Sequence, residues 1–195
     1  VTRVLLLRHA ESAWNADGRW QGHADPPLSP LGERQASAAV LPPGVRAVWT
    51  SDLVRARATA LVLAAPAGLD VRSDPRLRER DAGEWTGLTR PEIEDAWPGY
   101  LAARRRPPGF EPDESVEARA REVLAALGAL PPAEVVGVTH AGVIRTLERA
   151  LGAAVPRLAN LEGRWFEVSG DTVTLGDRVL LVDPDRVEVT IPGQI

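Results

Sequence analysis

Three short apolar runs in this chain each end in residues suited to chemistry on an anion. Val4-Leu5-Leu6-Leu7 runs straight into Arg8 and His9. The run 45–50 ends in Ser51 and Asp52 with Arg55 close behind, and the run 134–138 ends in Thr139 and His140. Two arginines and two histidines brought together make a cationic pocket, for which phosphate or carboxylate is the natural guest. A neutral imidazole facing phosphorus is a nucleophile able to form a phosphohistidine. Arginine forks and a second histidine would stabilise charge on the equatorial oxygens of the transferring group. The set lacks an acid for the departing alkoxide, which a carboxyl group near the pocket has to supply. Alone, an Arg-His pair after a strand is an ordinary solvated loop; three such endings are harder to produce by chance.

The elements that must position these residues can be read from the pattern. Short apolar runs rich in Val and Leu read as buried strands of a parallel sheet, and in open α/β sheets ligands bind beyond the carboxyl ends of the strands. Residues 10–30 are polar and rich in Gly and Pro, a long loop of the kind that tends to be functional. A helix opens at Ser29-Pro30 and closes before Pro42-Pro43-Gly44. After the second strand, Ser51 or Asp52 is expected to cap a helix ended by Pro66, with Arg55 in its first turn. Residues 69–73 suggest a third strand, 89–97 a capped helix, and 114–130 a longer amphipathic helix. Gly142 begins another helix immediately after the strand ending at Thr139. From Leu161 on, FEVSGDTVTL, RVLLVD and RVEVTI alternate and are expected to form antiparallel hairpin strands at the sheet edge. The β-α order predicts a three-layer α/β/α sandwich with a mostly parallel central sheet. No repeat or linker divides the 195 residues, so one domain over 1–195 is expected.

Composition narrows the function. The chain is 44% apolar and 26% charged with a net charge of −4, an ordinary globular profile that argues against nucleic acid or an anionic membrane as partner. All 23 basic residues are arginine, which with abundant Ala, Pro and Gly points to a GC-rich, bacterial coding genome. Cysteine is absent, so disulfides and thiolate chemistry are unavailable. No apolar run approaches the length of a membrane span, and a cytoplasmic location is expected. The three histidines have no close pair at metal-ligand spacing, so no metal is expected.

LLLRHAESAWN, SDLVRARATA, LRERDAGEWTG and VTHAGVIR, in that order, resemble the four signature segments of the histidine phosphatase superfamily, the phosphoglycerate-mutase-like proteins. The resemblance spans residues 8–145. It implies that His9 is the nucleophile, with Arg8 and Arg55 binding the phosphate and His140 holding the phosphoryl group. Glu79 is implied as the general acid, Asn15 and Gln21 as secondary phosphate contacts, and Gly142 as the donor of a backbone N–H. Neither metal nor cofactor is implied. Two departures stand out: Ala10 replaces the family's glycine after the nucleophile, and Ala82 stands where the mutases have a tyrosine. The second favours a phosphatase, as does the short chain. Against that, Arg90 sits where mutases place a basic residue for the substrate carboxylate, and the run Arg104-Arg105-Arg106 lies in the segment that covers the substrate.

The expected activity is therefore metal-independent hydrolysis of a small phosphorylated metabolite through a phosphohistidine. A phosphoglycerate mutase, a protein phosphohistidine phosphatase and a non-catalytic phosphate-binding module are the alternatives. His23 reads as a rim or surface residue, the arginine run as a mainly solvated face, and Trp14, Trp20 and Trp97 as candidate cavity walls. The C-terminal strands offer an edge through which a homodimer could form.

Overall fold

A computed structural model describes residues 1–131 and 133–193. Six strands form one sheet: β1 (Thr2–Arg8), β2 (Val45–Thr50), β3 (Val71–Ser73), β4 (Glu134–Thr139), β5 (Glu162–Ser169) and β6 (Thr172–Leu180). Their order is β3-β2-β4-β1-β5-β6; the first four run parallel, and β5 and β6 are antiparallel additions. The helices are α1 (Ala13–Ala16), α2 (Pro30–Ala38), α3 (Val54–Ala64), α4 (Arg90–Ala96), α5 (Asp113–Gly128) and α6 (Ala141–Ala150).

The period-2 alternation of a strand explains the three layers. In β1, Val4 and Leu6 join a core with Val116, Val123 and Leu127 of α5 and Ile144 and Leu147 of α6. Leu5 and Leu7 face the other way, against Ala36 of α2 and Ala56, Ala60 and Leu63 of α3. All four β1 side chains are fully buried, as a continuous apolar run requires of a strand covered on both faces. Gly137 of β4 leaves room for Leu6, whose Cδ2 would lie 3.0 Å from a Cβ placed there.

Several local expectations change. RVEVTI is not a strand: Thr190 and Glu188 bond instead to Asn160 and Gln35, so this segment lies across the α2 side as irregular chain. RVLLVD and the stretch before it merge largely into the single strand β6. Neither Ser51 nor Asp52 caps α3, whose N-cap is Leu53. The Asp52 carboxylate is held in a two-pronged pair by Arg78, and the Val54 N–H is met by Asp25 Oδ1 at 2.6 Å, from the long loop. Loop 10–30 contains the short helix α1, closed by a Ser12–Asn15 capping box.

Candidate active site

The carboxyl edge of the parallel strands carries the residues singled out by type and spacing. Register aligns Arg8 with Thr139, and Thr50 with Val138, so β1, β4 and β2 end side by side. The His9 N–H continues this ladder to the Thr139 carbonyl at 3.0 Å, and the Ser51 N–H bonds to the Val138 carbonyl at 2.9 Å. Arg8, His9, Arg55 and His140 are all essentially buried. The two imidazoles meet edge to face, with ring centroids 5.0 Å apart.

Local bonds fix the ring of His9. Its Nδ1 lies 2.6 Å from the Ala10 carbonyl, which can only accept, so Nδ1 carries the proton and Nε2 keeps its lone pair. Burial, then the charges of Arg55 and Arg8, push His9 well below the ordinary histidine value of 6.5, and the ring is neutral at pH 7. His140 is lowered in the same way by burial, Arg55 and His9. Desolvation also draws Arg8 and Arg55 down to about 10, leaving both charged at neutral pH.

The arginines are only partly engaged. Arg8 donates through one terminal nitrogen to the Leu158 carbonyl. Arg55 donates to the carbonyls of Ala24 at 2.8 Å and Gly22 at 3.0 Å. Among the described residues, the buried Nε atoms of Arg8 and Arg55 and both ring nitrogens of His140 have no hydrogen-bond partner. Buried polar atoms left this way mark a place built for a polar guest. The Nε–H groups of Arg8 and Arg55, one N–H of His140 and the lone pair of His9 Nε2, among two positive charges, suit a phosphoryl group.

Glu79 reaches the same place from the loop after a 3-10 turn at Pro75–Leu77. One carboxylate oxygen accepts from the Arg80 N–H at 2.7 Å and the other from the Gly142 N–H at 3.2 Å. A Cβ on Gly142 would lie 2.2 Å from Glu79 Oε1, so glycine there makes room for the carboxylate. The Gly142 N–H is thus turned to Glu79, where the resemblance implied a direct phosphate contact. Asn15, Gln21, Glu79 and Gly142 line a small inner pocket of about 50 Å³. Gln21 is fixed by the Ser12 hydroxyl, which donates to its Oε1 at 2.7 Å. Trp20, Arg80, Phe110 and Gly142 are shared with an outer cavity of about 930 Å³, whose further walls include Arg90, Arg104, Arg106 and Arg145. Arg90 belongs to this outer cavity and not to the inner pocket. Arg106 lies over the rings of Phe110 and Trp85 at 5.0 and 5.7 Å, and both it and Arg104 line the cavity, so two members of the arginine run are more than a solvated face. Of the three tryptophans named as candidate walls, Trp20 lines both cavities, packed edge to face on Trp85.

Residues 4–174 match the model of the histidine phosphatase superfamily, branch 1. The chain belongs to this superfamily. It is 38% identical over 190 residues to glucosyl-3-phosphoglycerate phosphatase of Mycobacterium tuberculosis, covering 86% of this chain and 85% of the relative. A metal-independent phosphoserine phosphatase of Arabidopsis thaliana is 31% identical over 199 residues, covering 94% and 80%. The native structure of a mycobacterial glucosyl-3-phosphoglycerate phosphatase superposes with a TM-score of 0.80 at 32% identity, covering 93% of this chain and 99% of that one. The chain is a phosphatase of the histidine phosphatase type, with the α/β architecture of its structural neighbours.

Two supporting residues, Asn160 and Thr59, escape sequence reasoning. Asn160 is buried and donates to the His9 carbonyl at 2.8 Å. Thr59 accepts from the Ala10 N–H at 3.1 Å while its hydroxyl donates to the Arg55 carbonyl, tying the His9 loop to α3. His23, read as a rim residue, contacts the Glu79 main chain. Asn160 and Thr59 carry no local signal, because each acts across more than 45 residues of sequence.

Proposed function

We propose that the protein hydrolyses a small phosphorylated metabolite in two half-reactions. His9 Nε2 attacks phosphorus, the N–P bond forms as the P–O bond breaks, and Glu79 hands its proton to the leaving oxygen. Water then attacks the phosphohistidine, Glu79 takes up a proton from it, and the N–P bond breaks to release phosphate and neutral His9. Arg8, Arg55 and His140 hold the equatorial oxygens throughout. The observation that carries this reading is the buried set of unpartnered donors on Arg8, Arg55 and His140 around a neutral imidazole whose Nε2 is free of a proton.

The arginines along the outer cavity favour a substrate with a second acidic group, and the relatives named for glucosyl-3-phosphoglycerate and phosphoserine act on phosphorylated acids. A cytoplasmic bacterial setting belongs to this reading, as does a homodimer paired through β6. No helix among the described residues is long and apolar enough to cross a membrane.

His9→Ala is expected to abolish hydrolysis of p-nitrophenyl phosphate and of a panel of phosphorylated acids, with chelators leaving the wild type active. Rapid quenching of the wild type in base should trap an acid-labile phosphoenzyme. Turnover that survives His9→Ala, or interconversion of phosphoglycerates without phosphate release, would contradict the assignment.

A further inference from the structure

The segment 22–24 touches both the phosphate-binding cation and the proposed acid, and His23 lies at its centre. The carbonyls on either side of this residue, those of Gly22 and Ala24, accept the two terminal nitrogens of Arg55 at 3.0 and 2.8 Å. The ring of His23 turns the opposite way, with Nε2 lying 2.8 Å from the Glu79 carbonyl. That oxygen can only accept, so Nε2 is the donor. A second contact fastens the same two segments together. Gly22 adopts φ +51, and a Cβ there would sit 2.6 Å from the backbone nitrogen of Ala82. The segments are therefore packed backbone to backbone, with the imidazole as the bond between them.

The Glu79 carboxylate itself is oriented by the Arg80 and Gly142 N–H groups. Those bonds aim the carboxylate only if the main chain of residue 79 is held. Two side chains hold its carbonyl: Arg119 from α5, at 3.2 Å, and His23. Arg119 also grips the carbonyls of Arg76 and Arg78, so it supports the whole turn from the helix side. His23 is the contact that refers Glu79 to Arg55.

We infer that His23 is a positioning residue that sets the acid Glu79 in register with the phosphate held by Arg55. The inference rests on the proposed role of Glu79. A general acid misplaced by a fraction of an ångström loses proton transfer while the electrostatic pocket keeps its grip on the phosphate. The loss should therefore follow the leaving group. p-Nitrophenolate departs without a proton, whereas an alkoxide needs one. Since kcat/KM reports only the steps up to phosphoenzyme formation, it isolates that demand.

The test compares His23→Ala, His23→Gln and Glu79→Gln with wild type, using p-nitrophenyl phosphate and β-glycerophosphate. For His23→Ala, kcat/KM on β-glycerophosphate is expected to fall by about tenfold or more, while that on p-nitrophenyl phosphate stays within about threefold. The amide nitrogen of glutamine reaches where Nε2 lies, so His23→Gln should restore the alkyl activity to within about threefold of wild type. Equal losses on both substrates, or none, would overturn the coupling. So would an alkyl-selective loss that glutamine fails to rescue at an unchanged unfolding midpoint. Glu79→Gln separates the two readings. If it shows the leaving-group effect and His23→Ala does not, the acid stands and the coupling fails. If Glu79→Gln shows none, the acid assignment fails and the coupling falls with it.

Discussion

The absence of a side chain at Gly142 shapes the site as much as any charged residue does. Its N–H donates to Glu79 Oε2, and its bare Cα leaves the space that Oε1 occupies. Gly142→Ala forces a Cβ to 2.2 Å from that oxygen, and the mobile end of Glu79 gives way before the helix does. The expected result is a loss in kcat/KM of about 10²-fold on alkyl phosphates, with an unfolding midpoint close to wild type. Steady-state kinetics with thermal melts checks it; a large stability loss with kinetics intact would count against it. At this scale the sequence was informative where a polar residue type stands at the end of a buried strand. His9, His140, Arg8 and Arg55 could be picked out because each follows an apolar run. Asn160 could not, since an asparagine between Ala159 and Leu161 carries no periodicity, and its bond to the His9 carbonyl joins positions 151 apart.

Whole elements were legible where burial dictates the pattern. Strands β2 and β4 have the bounds their apolar runs imply, and α4 starts at the cap that Thr89 provides. Misreadings arose where a distant group took over a local role. Asp52 is a good capping residue in isolation, yet Arg78 claims its carboxylate and Asp25 serves the N–H of Val54 instead. RVEVTI alternates like a strand, but its carbonyls and hydroxyl are taken by Asn160 and Gln35. One interelement bond has clear energetic content. Glu148 of α6 is fully buried and receives Arg178 of β6 through two nitrogens, at 2.8 and 2.6 Å. Removing Glu148 takes the closer of two carboxylates from Arg178 and leaves it the longer pair with Glu162, so Glu148→Ala should destabilise by about 3 kcal/mol. The double variant Glu148→Met, Arg178→Met is expected to recover most of this, because both charges leave together. Denaturant unfolding of the four-member cycle measures the coupling; additive losses would show that the pair contributes through packing alone.

For the molecule as a whole, two buried neutral histidines link stability to pH. Both have folded-state values lowered from 6.5, by burial first and then by neighbouring positive charge. In the unfolded chain they take up protons as pH falls through about 6.5, while the folded rings do not. Stability is therefore complete above that value. Below it, the two sites together remove about 2.7 kcal/mol per pH unit, until the folded rings titrate. Urea unfolding between pH 7.5 and pH 5 should show this slope, and His9→Phe, His140→Phe should flatten it. ¹⁵N shifts of both rings should remain those of neutral imidazole at pH 6.5; a half-titrated ring there would contradict the burial argument. Overall architecture was readable from the alternation of strand and helix, because parallel strands demand crossovers of that kind.

The place of β1 between β4 and β5 also governs when the protein becomes a catalyst. Leu5 pairs with Val136 on one side and Trp165 on the other, partners separated from it by 131 and 160 residues. During synthesis Val4-Leu5-Leu6-Leu7 leaves the ribosome long before either partner exists, a sticky segment awaiting its neighbours. Asn160, which secures the His9 carbonyl, follows it by 151 residues. The nascent chain thus carries His9 in an unformed setting until those partners follow. It gains competence in one late step, when the antiparallel pair closes over the first strand.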